Sequence, residues 1–293
     1  MSSLKELVDA WLAMDQNETT RAEIQSLWDK ADTEALERRM RNRIEFGTAG
    51  LRGRMEAGWS RMNDLIVIQA SQGLCKYVLE QVENASSKGV VIGHDHRHNS
   101  ERWAQLTAAA FIKNGVKVYL HRGLVHTPMV PFTVKQIGAA CGVMITASHN
   151  PKHDNGYKVY WENAVQIISP HDKGISDAIK ANLTPRTWDT SLVSTSSLCL
   201  DVTDKMKEAY LASLLSLRDK GLPQSRKSTF VNTSMHGVGH PFVERALAAL
   251  DISIIPVPEQ QNPDPDFPTV SYPNPEEKGA LVNSFTIFFH ESM

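Results

Sequence analysis

Between residues 90 and 145 the chain alternates short apolar runs with longer amphipathic ones. Residues 90–93, 116–120 and 141–145 are apolar and rich in β-branched side chains. Residues 100–113 and 127–137, the second opened by Pro128, repeat their apolar positions at helical spacing. Strands of this length separated by helices make βαβ units, which lay strands parallel in one sheet with helices on its faces. The spacing therefore predicts an α/β fold with mixed, largely parallel sheets flanked by helices.

The flanks extend this plan. The first 45 residues read as helical, with Thr20 and Glu23 at capping-box spacing ahead of Leu27 and Trp28, and a further helix over 32–43. Residues 46–53, FGTAGLRG, hold three glycines in eight residues and read as a loop, followed by a helix over 65–82. Residues 157–161 and 164–168 read as paired strands, and Pro170 opens another helix. A Ser/Thr-rich stretch over 184–197 suits a boundary. It divides the chain into a unit at 1–197 and a second at 198–281, with helices at 204–217 and 241–250, strands at 230–232 and 252–256, and a tail at 282–293.

Charge narrows the partners. A formal net charge of -2 over 293 residues gives no field that would gather nucleic acid or an acidic membrane, so any affinity for phosphate must be local. Cys75, Cys141 and Cys199 are too scattered for a metal site or a disulfide framework, which fits a reducing compartment. Leu4, Leu7, Val8, Trp11 and Leu12 share one helical face, but polar residues interrupt the run. It is neither a secretory leader nor the roughly 20 apolar residues that span a bilayer. A cytoplasmic protein with neither a nucleic-acid nor a membrane partner is expected.

Residues 143–151, VMITASHNP, run from a buried strand straight into a polar loop, and residues 155–158, NGYK, follow. Ligands of open α/β sheets bind beyond the carboxyl ends of strands, so chemistry is expected here. By residue type alone two readings stand. Ser148 and its asparagines satisfy backbone groups in a tight loop, or Ser148 is a nucleophile or phosphate carrier with His149 and Lys158 as helpers. His149 is poorly placed as a base for its own neighbour and better suited to binding phosphate or acting on substrate. Serine hydrolysis has little support, because no G-x-S-x-G elbow is present.

The TASHNP and NGYK segments resemble the phosphoserine loop of the α-D-phosphohexomutase superfamily. FGTAGLRG is similar to that family's first signature, and SRMNDL (60–65), HGVG (236–239), DPDFPTV (264–270) and YPNPEE (272–277) extend the likeness over residues 8–281. The likeness is to the phosphoglucomutase and phosphopentomutase branch, which also holds glucose-1,6-bisphosphate synthases. It implies one complete and one incomplete phosphohexomutase-type domain. It implies that Ser148 carries a phosphoryl group, that Arg52 and Ser148 bind substrate phosphate, and that His149 and Lys158 are catalytic. Lys158 matches the residue proposed to exchange a proton with the sugar hydroxyl. Glucose 1-phosphate, ribose 1-phosphate or deoxyribose 1-phosphate would be the substrates, with Mg²⁺ and a sugar bisphosphate primer as cofactors. The metal would be reached through the Ser148 phosphate.

Other features read as decoys or gaps. His94, His96 and His98 alternate around Asp95 as metal ligands on one strand face would, but the family pattern there is G-x-D-x-R, matching Gly93, Asp95 and Arg97. Asp95 and Arg97 are expected to brace the active-site loops, and the histidines to occupy a wet strand end. Asp264 and Asp266 fall short of the family's D-x-D-x-D-R metal loop and read as a proline-rich turn. That loop, the G-E-E-S-G sugar loop and the C-terminal phosphate loop have no counterpart here, and VNSFTIFFHESM (282–293) is unlike the family and β-prone. A chain of this kind is expected to be catalytically impaired by itself, with a second unit of marginal stability. The alternative reading is a non-catalytic module that binds phosphosugars or pairs with a subunit.

Overall fold

The computed structural model describes residues 2–48, 50–217 and 230–291. Three helices open the chain: α1 (Leu4–Met14), α2 (Glu18–Asp29) and α3 (Thr33–Met40). Ser3 and Glu6 form a reciprocal capping box at α1. The cap of α2 is Asn17, which accepts from the amides of Thr19 and Thr20, rather than Thr20. Thr20 already lies inside the helix and donates its hydroxyl to Asp15. Trp11, Ile24, Leu36 and Met40 bury this helical layer, with Trp11 edge-on to Trp59 at 4.9 Å.

Strand β1 (Leu51–Arg54), helices α4 (Asp64–Gln81) and α5 (Ala85–Lys88), β2 (Val90–His94), α6 (Ser100–Lys113), β3 (Val118–Leu120), α7 (Met129–Ile137), β4 (Cys141–Ile145), β5 (Asp154–Trp161), α8 (His171–Lys180), α9 (Leu192–Thr195) and β6 (Cys199–Asp201) form the main unit. Its six strands lie in the order β1-β5-β4-β2-β3-β6. The pairs β4–β2, β2–β3 and β3–β6 are parallel, and β5 runs antiparallel to both β4 and β1. All five residues of β2 and of β4 are buried, as strands covered on both faces require. Alternate side chains feed two cores. Ile92, Val143 and Val159 face α4 and α6, whereas Val91, Met144 and Tyr160 face α7.

Several features depart from the sequence reading, among them residues 51–53, expected in a loop and found in β1. Residues 164–168 form no second strand and meet β5 only through the isolated bridge Tyr160–Gln166. The strand just past the expected boundary at 197/198, β6, closes the edge of this first sheet. Past it lie α10 (Thr203–Ser216), β7 (Phe230–Asn232), α11 (His240–Ala248) and β8 (Ile254–Pro256), with β7 and β8 paired in parallel. The tail expected to be β-prone is a helix, α12 (Val282–Glu291), lying against β7. A helix satisfies its own backbone groups, which a single added strand cannot. Among the described residues past Met206, the buried apolar side chains are Val257, Phe267 and Ala280. The deep core therefore belongs to the six-stranded unit.

Helices α4 and α8 cross at Gly73, where an added Cβ would sit 2.5 Å from Ile179 Cα. A Gly73→Ala substitution is expected to force the helices apart and lower stability by about 1–3 kcal/mol. Urea unfolding followed by circular dichroism checks this, and an unchanged midpoint would refute the close approach.

Candidate active site

At the carboxyl end of β4 the chain turns out of the sheet. The Thr146 hydroxyl accepts the Ser148 amide at 2.9 Å, and Ser148 sits at φ 60°, in the left-handed region. A non-glycine residue there is strained by roughly 1–2 kcal/mol and persists only where its surroundings fix it. The turn leaves Ser148 and His149 exposed at the rim of a cleft of about 290 Å³, which Asp95, His96, His126 and Thr146 also line.

Arg97 supplies the fixing. It is buried at 3% exposure. Its Nη2 donates to the carbonyls of Ser148 and Asn150, both at 2.8 Å, and its Nη1 to those of Pro151 at 2.9 Å and Asp154 at 3.2 Å. Asp95 completes the arrangement, with Oδ2 at 3.4 Å from Arg97 Nε and Oδ1 accepting the Arg97 amide at 3.0 Å and the Ser100 hydroxyl at 2.6 Å. Burial pushes the Arg97 guanidinium below its usual range, and Asp95 and Asp154 oppose that shift. The Asn155 amide nitrogen donates to Ser100 Oγ and to the His98 carbonyl, tying β5 to the same knot. The other side of the guanidinium is covered by the second unit, whose Phe267 ring lies 5.0 Å from Arg97 Cζ. The neighbouring Asp266 reaches Lys152 at 3.2 Å and His98 at 3.5 Å, and hydrogen bonds from these two side chains hold its carboxyl below the usual range.

Arg52 and Lys158 reach the site through register. Arg52 pairs with Gly156 across β1 and β5, and Lys158 pairs with Met144 across β5 and β4. Residues two apart share a sheet face, so both fall on the α7 side, the side on which Met144 and Thr146 line the cleft. Lys158 is half-buried. Burial first, and then the Arg52 guanidinium, push its ammonium below the usual lysine range, with Asp95 acting the other way. Ser148 and His149 thus line the cleft from the loop, and Arg52 and Lys158 lie on the same sheet face beside it.

The phosphoglucomutase/phosphomannomutase α/β/α domain I model matches residues 43–186, and the domain II model of the same family matches residues 208–291. The chain belongs to this family. It is 51% identical over 283 residues to the "Probable phosphoribomutase" of Schizosaccharomyces pombe, an alignment covering 95% of this chain and 48% of that protein. The human phosphopentomutase is 47% identical over 290 residues, covering 94% of this chain and 47% of its own. Among solved structures, the "putative phosphomannomutase" of Thermus thermophilus superposes with a TM-score of 0.68 at 26% identity, over 84% of this chain and 52% of that one. The chain spans about half the length of the curated relatives it matches.

Two site residues carried little signal in the sequence. Thr146 has the spacing of a hydroxyl turn, two residues before Ser148, and was legible in principle. His126 was not. Its ring lies 4.0 Å from Phe242 and 5.1 Å from Tyr210, both brought in from distant positions. Burial, with Lys207 adding to it, pulls His126 down to about 4, so it is neutral at physiological pH. The three alternating histidines do not share a face, because β2 ends at His94. His94 is buried, bonded through Nδ1 to the Asp95 carbonyl, rather than in a wet strand end. His96 packs on Phe267 at 5.1 Å, and His98 is exposed beside Asp266. Asp264 accepts the Asp266 amide at 2.8 Å in a turn.

The residues present do not by themselves fit the Mg²⁺ that the family resemblance implies. That ion takes carboxylate and phosphate oxygens. Among the described residues no three His, Cys, Asp or Glu side chains converge, and Asp95, the carboxylate in the cleft wall, is engaged with Arg97 and Ser100. A phosphate on Ser148 would supply one ligand. No helix of the described residues is long and apolar enough to cross a membrane.

The clamp and the lysine can each be tested. Arg97→Lys keeps the charge but loses the planar fork. It is expected to lower stability by about 2–3 kcal/mol and to speed amide exchange selectively over residues 148–154, as read by mass spectrometry. Unchanged exchange there would rule out the clamp. Removing a neighbouring cation relieves the penalty on a protonated amine, so Arg52→Met should move the Lys158 titration upward, toward the ordinary lysine range. Carbon-13 NMR of the dimethylated protein follows this, and a Lys158 that titrates with the surface lysines in both forms would contradict the coupling.

Proposed function

We propose that Ser148 carries a phosphoryl group in a sugar-phosphate mutase reaction of the phosphopentomutase or phosphoglucomutase type. The observation that carries this reading is the Arg97 clamp. It fixes an exposed serine in a strained seat, beside a sheet face bearing an arginine and a lysine of lowered pKa. Phosphoryl transfer asks mainly for positioning and charge stabilisation, which such an arrangement supplies.

In the first half-reaction the bond between phosphorus and Ser148 Oγ breaks as a bond to a sugar hydroxyl oxygen forms. The hydroxyl proton passes to the Lys158 amine, which burial and Arg52 make easier to hold neutral, and the departing Ser148 Oγ takes a proton from solvent. Arg52 grips phosphate oxygens with its planar fork, and His149 adds a donor at the rim. The bisphosphorylated sugar then turns over, and its other phosphate returns to Ser148, whose hydroxyl releases its proton to solvent, while Lys158 gives its proton to the departing sugar oxygen. Ribose 1-phosphate, deoxyribose 1-phosphate and glucose 1-phosphate are the proposed substrates, with a sugar bisphosphate primer to load Ser148 and Mg²⁺ as the accompanying ion. The cytoplasm is the proposed location, in keeping with three buried free cysteines.

Incubation with glucose 1,6-bisphosphate and Mg²⁺ should add the mass of one phosphoryl group to the peptide that contains Ser148. Ser148→Ala should abolish the label and reduce any mutase turnover by at least about three orders of magnitude. Phosphorylation elsewhere, or normal turnover without Ser148, would sink the assignment.

A further inference from the structure

On the face of β1 opposite Arg52 lies a separate cavity of about 340 Å³. Its apolar walls include Phe46 from the approach to β1, Leu51 from β1 itself, Ile66 from α4 and Ile179 from α8. Two cations, Arg43 and Lys180, stand in the same wall, Lys180 exposed and 3.6 Å from Asp177 on its own helix.

Arg43 differs from most of the arginines near it in sequence, Arg52 beside the other cleft apart. Arg38, Arg39, Arg41, Arg54 and Arg61 each have a carboxylate within ion-pair distance. Arg43 has a hydrogen bond to Gln69 Oε1 and the Trp59 ring 5.5 Å from its Cζ, but no carboxylate partner among the described residues. Glu45 also reaches the cavity, yet it is exposed and forms no ion pair with Arg43. Burial pulls the Arg43 guanidinium down to about 10, so it remains charged at neutral pH. A guanidinium partly withdrawn from water without a counter-charge is costly unless an anion completes it, and its fork matches two oxyanion oxygens at once.

We propose that this cavity binds a small oxyanion carried on an apolar body, a phosphate monoester or carboxylate attached to a ring or short chain. Arg43 and Lys180 hold the oxyanion, and Phe46, Leu51, Ile66 and Ile179 cover the body. The site is independent of the Ser148 cleft, although an occupant behind Leu51 presses on the strand whose next residue is Arg52.

Isothermal titration of the 293-residue chain with phenyl phosphate, benzoate, phenol and inorganic phosphate tests the site. Phenyl phosphate or benzoate should bind at least about tenfold more tightly than phenol and inorganic phosphate, because neither half alone uses both parts of the cavity. Whichever of the two anions binds identifies the oxyanion. Arg43→Met should remove the advantage, and the surface variant Lys180→Ala should weaken it, with melting curves confirming that both fold. Arg52→Ala, which disables the other cleft, should leave binding intact. Equal affinity in Arg43→Met and the parent chain, loss in Arg52→Ala instead, or no heat at millimolar ligand would overturn the proposal.

Discussion

A single buried guanidinium organises the functional end of this molecule. Arg97 can be buried because its Nη1 and Nη2 donors are met by the carbonyls of the Ser148 loop and the start of β5, and its charge by Asp95. The dependence runs both ways. The Ser148, Asn150 and Pro151 carbonyls lie outside the strands, and Arg97 is what helps them leave water. The left-handed backbone at Ser148 is stable because both sides of it are held, by the Thr146 hydroxyl before and by Arg97 after. Asp95, Ser100 and Asn155 then link the ends of β2 and β5 to the same point, so the positions of three chain segments are settled together.

The remaining parts of the site are less firmly held. Arg52 rides on β1, an edge strand paired only with β5, and it is exposed. The second unit touches the knot through a short turn, with Phe267 on one side of Arg97 and Asp266 reaching Lys152. Beyond that turn its described residues bury few apolar side chains, and Leu214, Leu217, Phe230 and Phe285 remain exposed. Rigidity therefore falls off outward from β2 and β4, which suits a site where one group must stay fixed while its surroundings admit a substrate.

Elements whose cause is local were legible in the sequence. Residues 141–145 form a strand at the expected bounds because a short apolar run between Gly138 and the polar loop that begins at Thr146 has few alternatives. The helix over 65–82 differs from α4 by one residue at each end. What failed was decided at a distance or by competition between neighbours. Asn17 displaced Thr20 as a cap because it stands three residues earlier with a side chain free to accept. Residues 164–168 are apolar and β-branched enough to read as a strand, but only one position forms a ladder bridge to β5. At the site, Ser148, His149, Arg52 and Lys158 were recognisable from the motifs that carry them. That Arg97 braces the loop was expected from the family pattern, but which four carbonyls it gathers, and the aromatic wall around His126, join segments far apart in sequence, and no spacing rule within one segment announces them.

The direction of those carbonyls has an electrostatic result. In a trans peptide the N–H points opposite to the C=O of the same plane. Drawing the Ser148 and Pro151 oxygens onto Arg97 therefore turns the amide hydrogens of His149 and Lys152 the other way, outward from the knot. The loop is a set of aligned peptide dipoles with its negative ends neutralised inside by a cation and its positive ends left facing solvent. An anion attached to the serine hydroxyl would meet a partial positive charge from the backbone itself, before any side chain moved to greet it.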